Sequence, residues 1–374
     1  MYLNYAEEFF RFLKAFIAYI YARRSRDFYP AKSISSVNYN EEVTIMQIIT
    51  PSRLHIALID LNGSYGRVDG GIGVTLENPS FSLSAEESSH DTSIEFKEKN
   101  LPQAVTSEYT RKITRAEQNI RRVLGIEENF HFTVNSTYPS HSGLGSGTQI
   151  ALATGKLMTE HAGLHLKSTE LAKIVGRAGT SGIGTYGFDL GGFIADGGHS
   201  KKQKASFMPS SASEAVPPVL LGRYDFPEEW NIVLAIPKNI GLYLSGSAEI
   251  NVFQTYCPLP KEDVKLLSHI IFMNMIPFLI EKDLEGFSAV LNRIQEIAFN
   301  KIEFQLQPPE VSKAMHTMRE CGCPGVGLSS LGPTLFGVYD RKDTTLLKEL
   351  DEKLGDYATF TVTKGQNHGA VLTE

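Results

Sequence analysis

Apolar residues recur at regular spacing along most of the chain after residue 45. Ile48, Leu54, Ile56 and Leu58 follow strand spacing, and residues 72–76 predict a second strand. Asn-Gly at positions 62 and 63 is a turn signal between the two. The pattern therefore predicts that this region begins with paired strands.

Helical spacing begins further along the chain. In residues 106–124, Ile113, Ala116 and Ile120 fall on one face and predict an amphipathic helix. Helices are also predicted over residues 261–280, 284–300 and 309–320, and strands over residues 130–135, 230–237 and 357–362. This mixture of strands and helices is typical of an α+β fold.

Residues 1–45 differ from the rest. Phe9, Phe12 and Phe16 have helical spacing, but Arg11 and Lys14 between them exclude a membrane-spanning helix. Three interpretations stay open: a helix on the protein surface, an interfacial membrane helix, or an extension that precedes a natural start at residue 46.

Charge and composition narrow the functional classes. A net charge of −6 over 374 residues leaves no basic footprint for nucleic acid. The 42% hydrophobic share is that of a soluble globular protein. Three cysteines indicate a reducing compartment, and no apolar run predicts a membrane span. We expect a cytoplasmic protein with small-molecule partners and neither a nucleic-acid partner nor a membrane span.

A glycine-dense stretch, PSHSGLGSGTQIALATG at residues 139–155, precedes a run with helical character. Backbone N–H groups at such a helix start favour an anion, above all phosphate. The residues predicted to contact phosphate are Ser142, Gly143, Leu144, Gly145, Ser146, Gly147 and Thr148. The stretch is neither a Walker loop nor GxGxxG. Spacing alone favours phosphate only slightly over a tight turn before a core helix.

Polar residues cluster in two further segments. The first, at residues 53–69, contains Arg53, His55, Asp60, Asn62, Arg67 and Asp69. Each alone fits a turn or capping role, but together they predict a polar substrate site. The second, at residues 177–200, contains Arg177, Thr180, Ser181, Asp189, Asp196 and His199 among many glycines. That glycine density indicates backbone in close contact with a ligand or another segment, although Asp189 also fits a helix cap.

These motifs resemble those of the GHMP kinase superfamily. The loop at residues 139–155 resembles its second motif, and GVGLSSLGPTLFGVY at residues 325–339 resembles its third, with Ser330 a candidate phosphate contact. The variant GLGSGTQ departs from the kinases, which carry a second Ser and an Ala. Together with RLHIALIDLNGSYGRVDGGIGVTL, it is similar to a branch of synthases, the β-ribofuranosylaminobenzene 5′-phosphate synthases. The resemblance covers residues 46–370.

The resemblance implies a two-lobed GHMP-kinase-like fold. The expected N-terminal α/β sandwich lobe spans residues 46–215, the ferredoxin-like C-terminal lobe spans residues 216–374, and the site lies between them. The implied reaction joins phosphoribosyl pyrophosphate to a para-substituted benzoate, either 4-aminobenzoate or 4-hydroxybenzoate, and releases carbon dioxide and pyrophosphate. The pathway would be methanopterin biosynthesis in archaea, and the protein is expected to be a homodimer.

The resemblance also implies roles for residues. Asp189, in Gly-Phe-Asp, matches the kinase Asp near the transferred group, and the catalytic residues are predicted to be Asp189, Asp60 and His199. Mg²⁺ is expected as cofactor, with Asp196 as its candidate ligand. Arg67 or Arg177 is expected to hold the benzoate or the 5′-phosphate. An ATP-dependent small-molecule kinase is the main alternative, followed by an inactive scaffold that binds a partner.

Overall fold

The structure, a computed structural model, describes residues 44–209, 212–213, 215–238 and 247–374. Of residues 1–45, residues 1–43 lie outside the described residues, so the interpretations of this segment stay predictions.

The first lobe is built on an eight-stranded sheet. Its strands are β1 (Met46–Asp60), β2 (Arg67–Ser88), β3 (Ser93–Phe96), β4 (Asn129–Ser136), β5 (Phe193–Asp196), β6 (His199–Ser200), β7 (Leu220–Tyr224) and β12 (Val371–Thr373). The main path runs β12-β1-β2-β4-β3, with β5 and β6 paired to β2 and β7 paired to β5. The β1–β2 pair is antiparallel and runs from Met46 opposite Ala85 to Asp60 opposite Asp69, as the strand and turn signals predicted.

Four helices belong to this lobe: α1 (Gln103–Leu124), α2 (Ser146–His161), α3 (Ser168–Val175) and α4 (Ile183–Leu190). Helix α1 buries Tyr109, Ile113, Ala116 and Ile120, which confirms its predicted apolar face. Helix α2 is buried along most of its length and packs against α1 and β1. Because α2 is central, the glycine loop that precedes it is held against the body of the first lobe, with Ser142 and Leu144 buried.

The second lobe contains a four-stranded antiparallel sheet. Its strands are β8 (Trp230–Pro237), β9 (Gly325–Leu328), β10 (Leu335–Asp340) and β11 (Ala358–Thr363), in the order β11-β8-β10-β9. Helices α10 (Pro309–Glu320) and α11 (Leu346–Leu354) pack with it. This order of strands and helices is ferredoxin-like, as predicted.

Helices between β8 and α10 complete the second lobe. They are α5 (Ser247–Tyr256), α6 (Lys261–Ile270), a π-helical turn (Ile271–Met275), α7 (Ile276–Glu281), α8 (Leu284–Ile294) and α9 (Ala298–Gln305). The single helix predicted over residues 284–300 is wrong. Ile297 is extended, Ala298 has φ 51°, and the Gln295 side chain accepts a hydrogen bond from the Leu328 amide, so a new helix begins at Ala298.

In the described part of the chain, one helical run, Lys261–Glu281, is long and apolar enough to cross a membrane by length and composition. Its residues Leu267, Ile271 and Met275 pack in the hydrophobic core, whereas Met273 and Ile280 are exposed. A core helix of a soluble protein passes the same test, so this run is weak evidence for a span.

The two lobes share a hydrophobic core. The Asn300 side chain on α9 donates to the Ile56 carbonyl at 2.6 Å, and the Leu259 amide donates to the Leu61 carbonyl at 2.9 Å. Strands β7 and β12 follow residue 216 in sequence but pair within the first sheet. The division at residues 215 and 216 stays a prediction, and sheet membership would assign those two strands to the first lobe.

Candidate active site

A cavity of about 410 Å³ lies where the lobes meet. The first lobe supplies β1, α1, the glycine loop and residues 175–184 to its walls, and the second lobe supplies α5, α9 and the turn after β9. Polar and charged side chains converge here from segments far apart in sequence, as expected of a binding site.

The glycine loop is clamped from both lobes. Gly143 has φ 84°, and a Cβ at this position would lie 2.3 Å from the Ser329 carbonyl oxygen, so only glycine fits without a backbone shift. The Ser329 hydroxyl donates to the Gly143 carbonyl at 2.7 Å, and Arg53 Nη1 donates to the same oxygen. The Arg53 amide also donates to the Leu144 carbonyl at 3.1 Å.

The amides of this loop are left for a ligand. Within the described residues, no acceptor meets the N–H groups of Gly143, Gly145, Ser146 or Gly147, all of which line the cavity. The next amide, that of Thr148, donates to the Gly145 carbonyl at 3.2 Å. Unpaired amides at the N-terminus of a long buried helix form an anion site.

A basic wall faces these amides. Arg111, Lys112 and Arg115 on α1 line the cavity, together with Arg177. Burial, followed by Arg115 and Arg111, lowers the pKa of Arg177 to about 10. Like charges four residues apart on a helix are destabilising, so Arg111 and Arg115 indicate a site built for an anion.

The opposite wall carries two carboxyl groups, Glu249 on α5 and Glu303 on α9. Glu303 is 3% exposed, and burial and then Glu249 raise its pKa to about 8, although Arg53 opposes this shift. On β1, burial and Arg53 lower the pKa of His55 to about 3, so its imidazole is neutral at physiological pH. His55 Nδ1 is buried and has no hydrogen-bond partner.

Comparison with known proteins places this site in a family. The GHMP kinases N terminal domain matches residues 111–194. A protein of Methanothermobacter thermautotrophicus named beta-ribofuranosylphenol 5′-phosphate synthase is 48% identical over 87% of this chain and 98% of its own length. A protein of Archaeoglobus fulgidus with the same name is 42% identical over 88% of this chain and 99% of its own. The chain belongs to the beta-ribofuranosylphenol 5′-phosphate synthase family.

A solved structure shares the two-lobed fold of this chain. Homoserine kinase from Cytophaga hutchinsonii aligns with a TM-score of 0.62 and 11% identity, over 91% of this chain and all of that one. Such low identity shows the fold alone. The two-lobed GHMP-kinase-like fold and the synthase branch predicted from the glycine motifs are both confirmed, and this synthase chain is an enzyme.

Many residues predicted for the synthase site from sequence line the cavity. They are Arg53, His55, Gly143, Gly145, Ser146, Gly147, Thr148, Arg177, Thr180, Ser181 and Ser330. Ser142 and Leu144 belong to the loop but are buried beneath it, and the Ser142 hydroxyl donates to the Pro139 carbonyl at 2.7 Å.

Three residues of the segment 53–69 lie outside the cavity and stabilise turns. Asp60 accepts the amides of Asn62 and Gly63 at 2.9 and 2.7 Å. Asn62 donates to the Leu259 carbonyl at 2.6 Å, and Arg67 donates to the Gly197 and Gly198 carbonyls. Their polar groups make turn and loop contacts, which is the role that the sequence allows for each of these residues taken singly.

A buried ionic cluster accounts for Asp69 and His199. His199 Nδ1 lies 2.6 Å from Asp69 Oδ2, and Lys204 Nζ donates to the same oxygen at 3.0 Å. Lys204 also donates to the Thr180 hydroxyl at 2.9 Å. The cluster therefore supports the cavity wall at Thr180 from behind and does not itself line it.

Asp189 also lies outside the cavity, although the kinase motif placed it near the transferred group. Asp189 Oδ2 accepts the Ser168 amide at 3.1 Å and the Ser168 hydroxyl at 2.7 Å. The carboxylate thus caps the start of α3, where the helix dipole favours a negative charge. A capping role is the alternative that the sequence left open.

The surroundings of Asp196 do not suit the role of a magnesium ligand. It is fully buried, and its two oxygens accept the Gly182 and Gly198 amides at 2.8 and 3.0 Å. Burial raises its pKa to about 7. Within the described residues, no group of three or more His, Cys, Asp or Glu side chains is arranged to hold a metal.

Sequence reasoning missed the basic wall and Glu303. The apolar face predicts helix α1 but gives no information about its polar side. The available signal was the four-residue spacing of Arg111 and Arg115, a pair of like charges on one helix face. Glu303 has no such local signal, because its burial depends on the break before α9.

Proposed function

We propose that the protein condenses phosphoribosyl pyrophosphate with 4-hydroxybenzoate, giving β-ribofuranosylphenol 5′-phosphate, pyrophosphate and carbon dioxide. The observation that carries this proposal is the set of unpaired loop amides opposite a basic wall, in a chain of this synthase family. The relatives are named for a phenol product, which favours 4-hydroxybenzoate over 4-aminobenzoate. Methanopterin biosynthesis in archaea is the proposed context.

The loop amides and the basic wall suit the diphosphate of the sugar substrate. Gly143, Gly145, Ser146 and Gly147 offer N–H donors, and Arg111 and Arg115 face them with positive charge. As the bond to ribose C1 breaks, negative charge grows on the diphosphate oxygens, and preorganised donors stabilise that charge. Mg²⁺ enters the proposal as part of the substrate, bound to diphosphate oxygens, and no ligand role is assigned to Asp196.

The remaining walls suit the ribose and the ring. Leu58, Phe253 and Leu331 supply apolar surface, and the hydroxyls of Thr180 and Ser181 supply hydrogen-bond partners. Glu249 and Glu303 supply the carboxyl groups that could stabilise a cationic ribose. The three residues predicted to be catalytic do not line the cavity: Asp189, Asp60 and His199. Arg177, which lines the cavity, is the better candidate than Arg67 to hold the benzoate or the 5′-phosphate.

The other functions are less well supported. A kinase would share the fold. However, the relatives that this chain matches over 98% and 99% of their length are named as synthases. A binding scaffold has no need for a nearly buried carboxyl group in a cavity. Homodimerisation and a cytoplasmic location stay part of the proposal, and sedimentation of the purified protein tests the first.

Carbon dioxide release tests the proposed reaction. The enzyme is incubated with carboxyl-labelled 4-hydroxybenzoate, with and without phosphoribosyl pyrophosphate, and in parallel with labelled 4-aminobenzoate. Release that requires the sugar diphosphate and is faster with the hydroxy compound supports the proposal. Phosphoryl transfer from ATP without release of carbon dioxide would favour a kinase instead.

A further inference from the structure

The proposed reaction needs a group that takes up a proton, and the three residues predicted to be catalytic lie outside the cavity. Asp189 caps a helix, Asp60 closes a turn, and His199 is buried against Asp69. The para hydroxyl of the benzoate must release its proton for the ring to become a strong carbon nucleophile. The cavity itself therefore has to supply the acceptor.

Glu303 is brought to the cavity by the break before α9. Asn300, in the first turn of α9, donates to the Ile56 carbonyl at 2.6 Å and fixes this helix against β1. Glu303 follows about one turn later, and lines the cavity together with Arg53 and His55 of β1. The position depends on contact between the two lobes.

The Glu303 side chain is nearly buried, and its carboxyl group makes no hydrogen bond to a described residue. The side chain is 3% exposed, and no hydrogen bond joins its carboxyl oxygens to a described residue, whereas its backbone carbonyl accepts from Gln307 Nε2 at 2.9 Å. A buried carboxyl without a partner costs free energy. Such a group at the wall of a cavity indicates a ligand that completes its hydrogen bonding.

We propose that Glu303 is the catalytic carboxylate that accepts the para hydroxyl proton of the benzoate and later returns it. This assignment rests on the proposed function. It adds to that function the residue and the substrate atom between which the proton moves.

The proposed steps balance as follows. Glu303 takes the hydroxyl proton, and the O–H electron pair forms the carbonyl of a cyclohexadienone. The ring carbon that bears the carboxylate bonds to ribose C1, and pyrophosphate leaves with the electron pair of the broken C–O bond. The bond to the carboxylate then breaks, carbon dioxide departs, and its electron pair restores the aromatic ring. The oxygen regains its proton from Glu303, which ends the cycle unchanged.

The charge state of Glu303 fits this role. Its pKa of about 8 lies well above the ordinary value for glutamate and nearer that of a phenol, about 10. Burial and then Glu249 raise the pKa, Arg53 lowers it, and His55 on β1 is neutral. Of the described residues, α6 and α8, which also pack against α9, add no charge that acts on it. Glu303 must lose its proton before it can accept another, so kcat/KM should rise with pH up to about 8.

The test compares Glu303→Gln and Glu303→Asp with the exposed control Glu310→Gln in the same lobe. Carbon dioxide release from 4-hydroxybenzoate is measured across pH with phosphoribosyl pyrophosphate present. We expect Glu303→Gln to lower kcat roughly 10²-fold or more and to abolish the rise in kcat/KM towards pH 8, with KM for the sugar diphosphate unchanged. Glu303→Asp should recover part of kcat, and Glu310→Gln should match the wild type.

Contrary outcomes separate the two proposals. If the wild type releases no carbon dioxide, the proposed function fails. If the wild type is active and Glu303→Gln retains its kcat and pH profile, only the assignment to Glu303 fails. If Glu303→Gln does not fold, Glu303→Asp becomes the test. The pH at which kcat/KM rises must then shift with the new carboxyl group, and an unshifted rise overturns the assignment.

Discussion

Gly143 and Ser329 lie against each other at the junction of the two lobes. The Ser329 hydroxyl donates to the Gly143 carbonyl at 2.7 Å, and the Ser329 carbonyl occupies the space that a Cβ of Gly143 would need. A backbone contact this close fixes the glycine loop relative to the second lobe. Gly143, Gly145, Ser146 and Gly147 of the loop consequently line a cavity whose other wall is formed by that lobe.

Gly143→Ala should disrupt this junction and reduce activity. The φ of 84° alone costs alanine about 1–2 kcal/mol, and the clash with the Ser329 carbonyl adds to that cost. Chemical denaturation and carbon dioxide release measure the two effects. Gly66→Ala is the matched control, because Gly66 also has φ 84° but has nothing within 4 Å of the added Cβ. Equal loss of stability in both variants would contradict the packing argument.

Arg111→Gln and Arg115→Gln should weaken binding of the sugar diphosphate. A lost hydrogen bond to a charged group corresponds to roughly a tenfold rise in KM for each variant. The folded protein should lose no stability, since each change relieves repulsion between like charges. Initial rates at varied phosphoribosyl pyrophosphate measure the effect, and Arg122→Gln, on the same helix but outside the cavity lining, is the control. An unchanged KM for phosphoribosyl pyrophosphate in both variants would show that the basic wall does not bind this substrate.

Asp189→Ala should leave the chemistry nearly intact. The change removes the acceptor for the Ser168 amide and hydroxyl, and a lost helix cap costs about 1 kcal/mol. We therefore expect a lower denaturation midpoint with kcat close to that of the wild type. A fall in kcat of the size expected for Glu303→Gln would instead support the catalytic role that the kinase motif implies.

Glu303→Gln should change stability in a pH-dependent way. The pKa of Glu303 is about 8 in the folded protein and close to the ordinary 4.5 when unfolded. The folded state binds the proton more tightly, so wild-type stability falls as pH rises from about 4.5 to about 8. Glutamine carries no such penalty, and its advantage at pH 8 should exceed roughly 1 kcal/mol, the equivalent of one pKa unit.

Denaturation midpoints at pH 5 and pH 8 check this expectation. The wild type and Glu303→Gln should be similar at pH 5, where the carboxyl is protonated in the folded state. At pH 8 the variant should be the more stable protein. The same difference in midpoint at both pH values would show that ionisation of Glu303 does not affect stability.

The features predicted correctly from sequence are those encoded locally. The glycine spacing at residues 143–147 leaves loop amides free wherever a helix follows, and α2 begins at Ser146. The apolar face of α1 likewise depends only on helical periodicity. Both lie in single segments, so no tertiary information was needed.

The features that sequence reasoning missed depend on contacts between segments. The break before α9 contains neither Gly nor Pro, and it is held by the bond from the Leu328 amide to Gln295. Without that break, Glu303 would not reach the cavity. Asp60 and Asp189 illustrate the opposite case: short-range turn and capping bonds use their carboxylates, and a sequence cluster does not show which bonds prevail. Their catalytic roles stay predictions.

The central claim is that one cavity releases pyrophosphate and carbon dioxide in the same turnover. Its most direct test is to quantify both products in a single incubation of the enzyme with phosphoribosyl pyrophosphate and carboxyl-labelled 4-hydroxybenzoate. We predict equal amounts of the two, and neither when one substrate is omitted. Pyrophosphate release without carbon dioxide, or no release of either product by folded protein, would contradict the account.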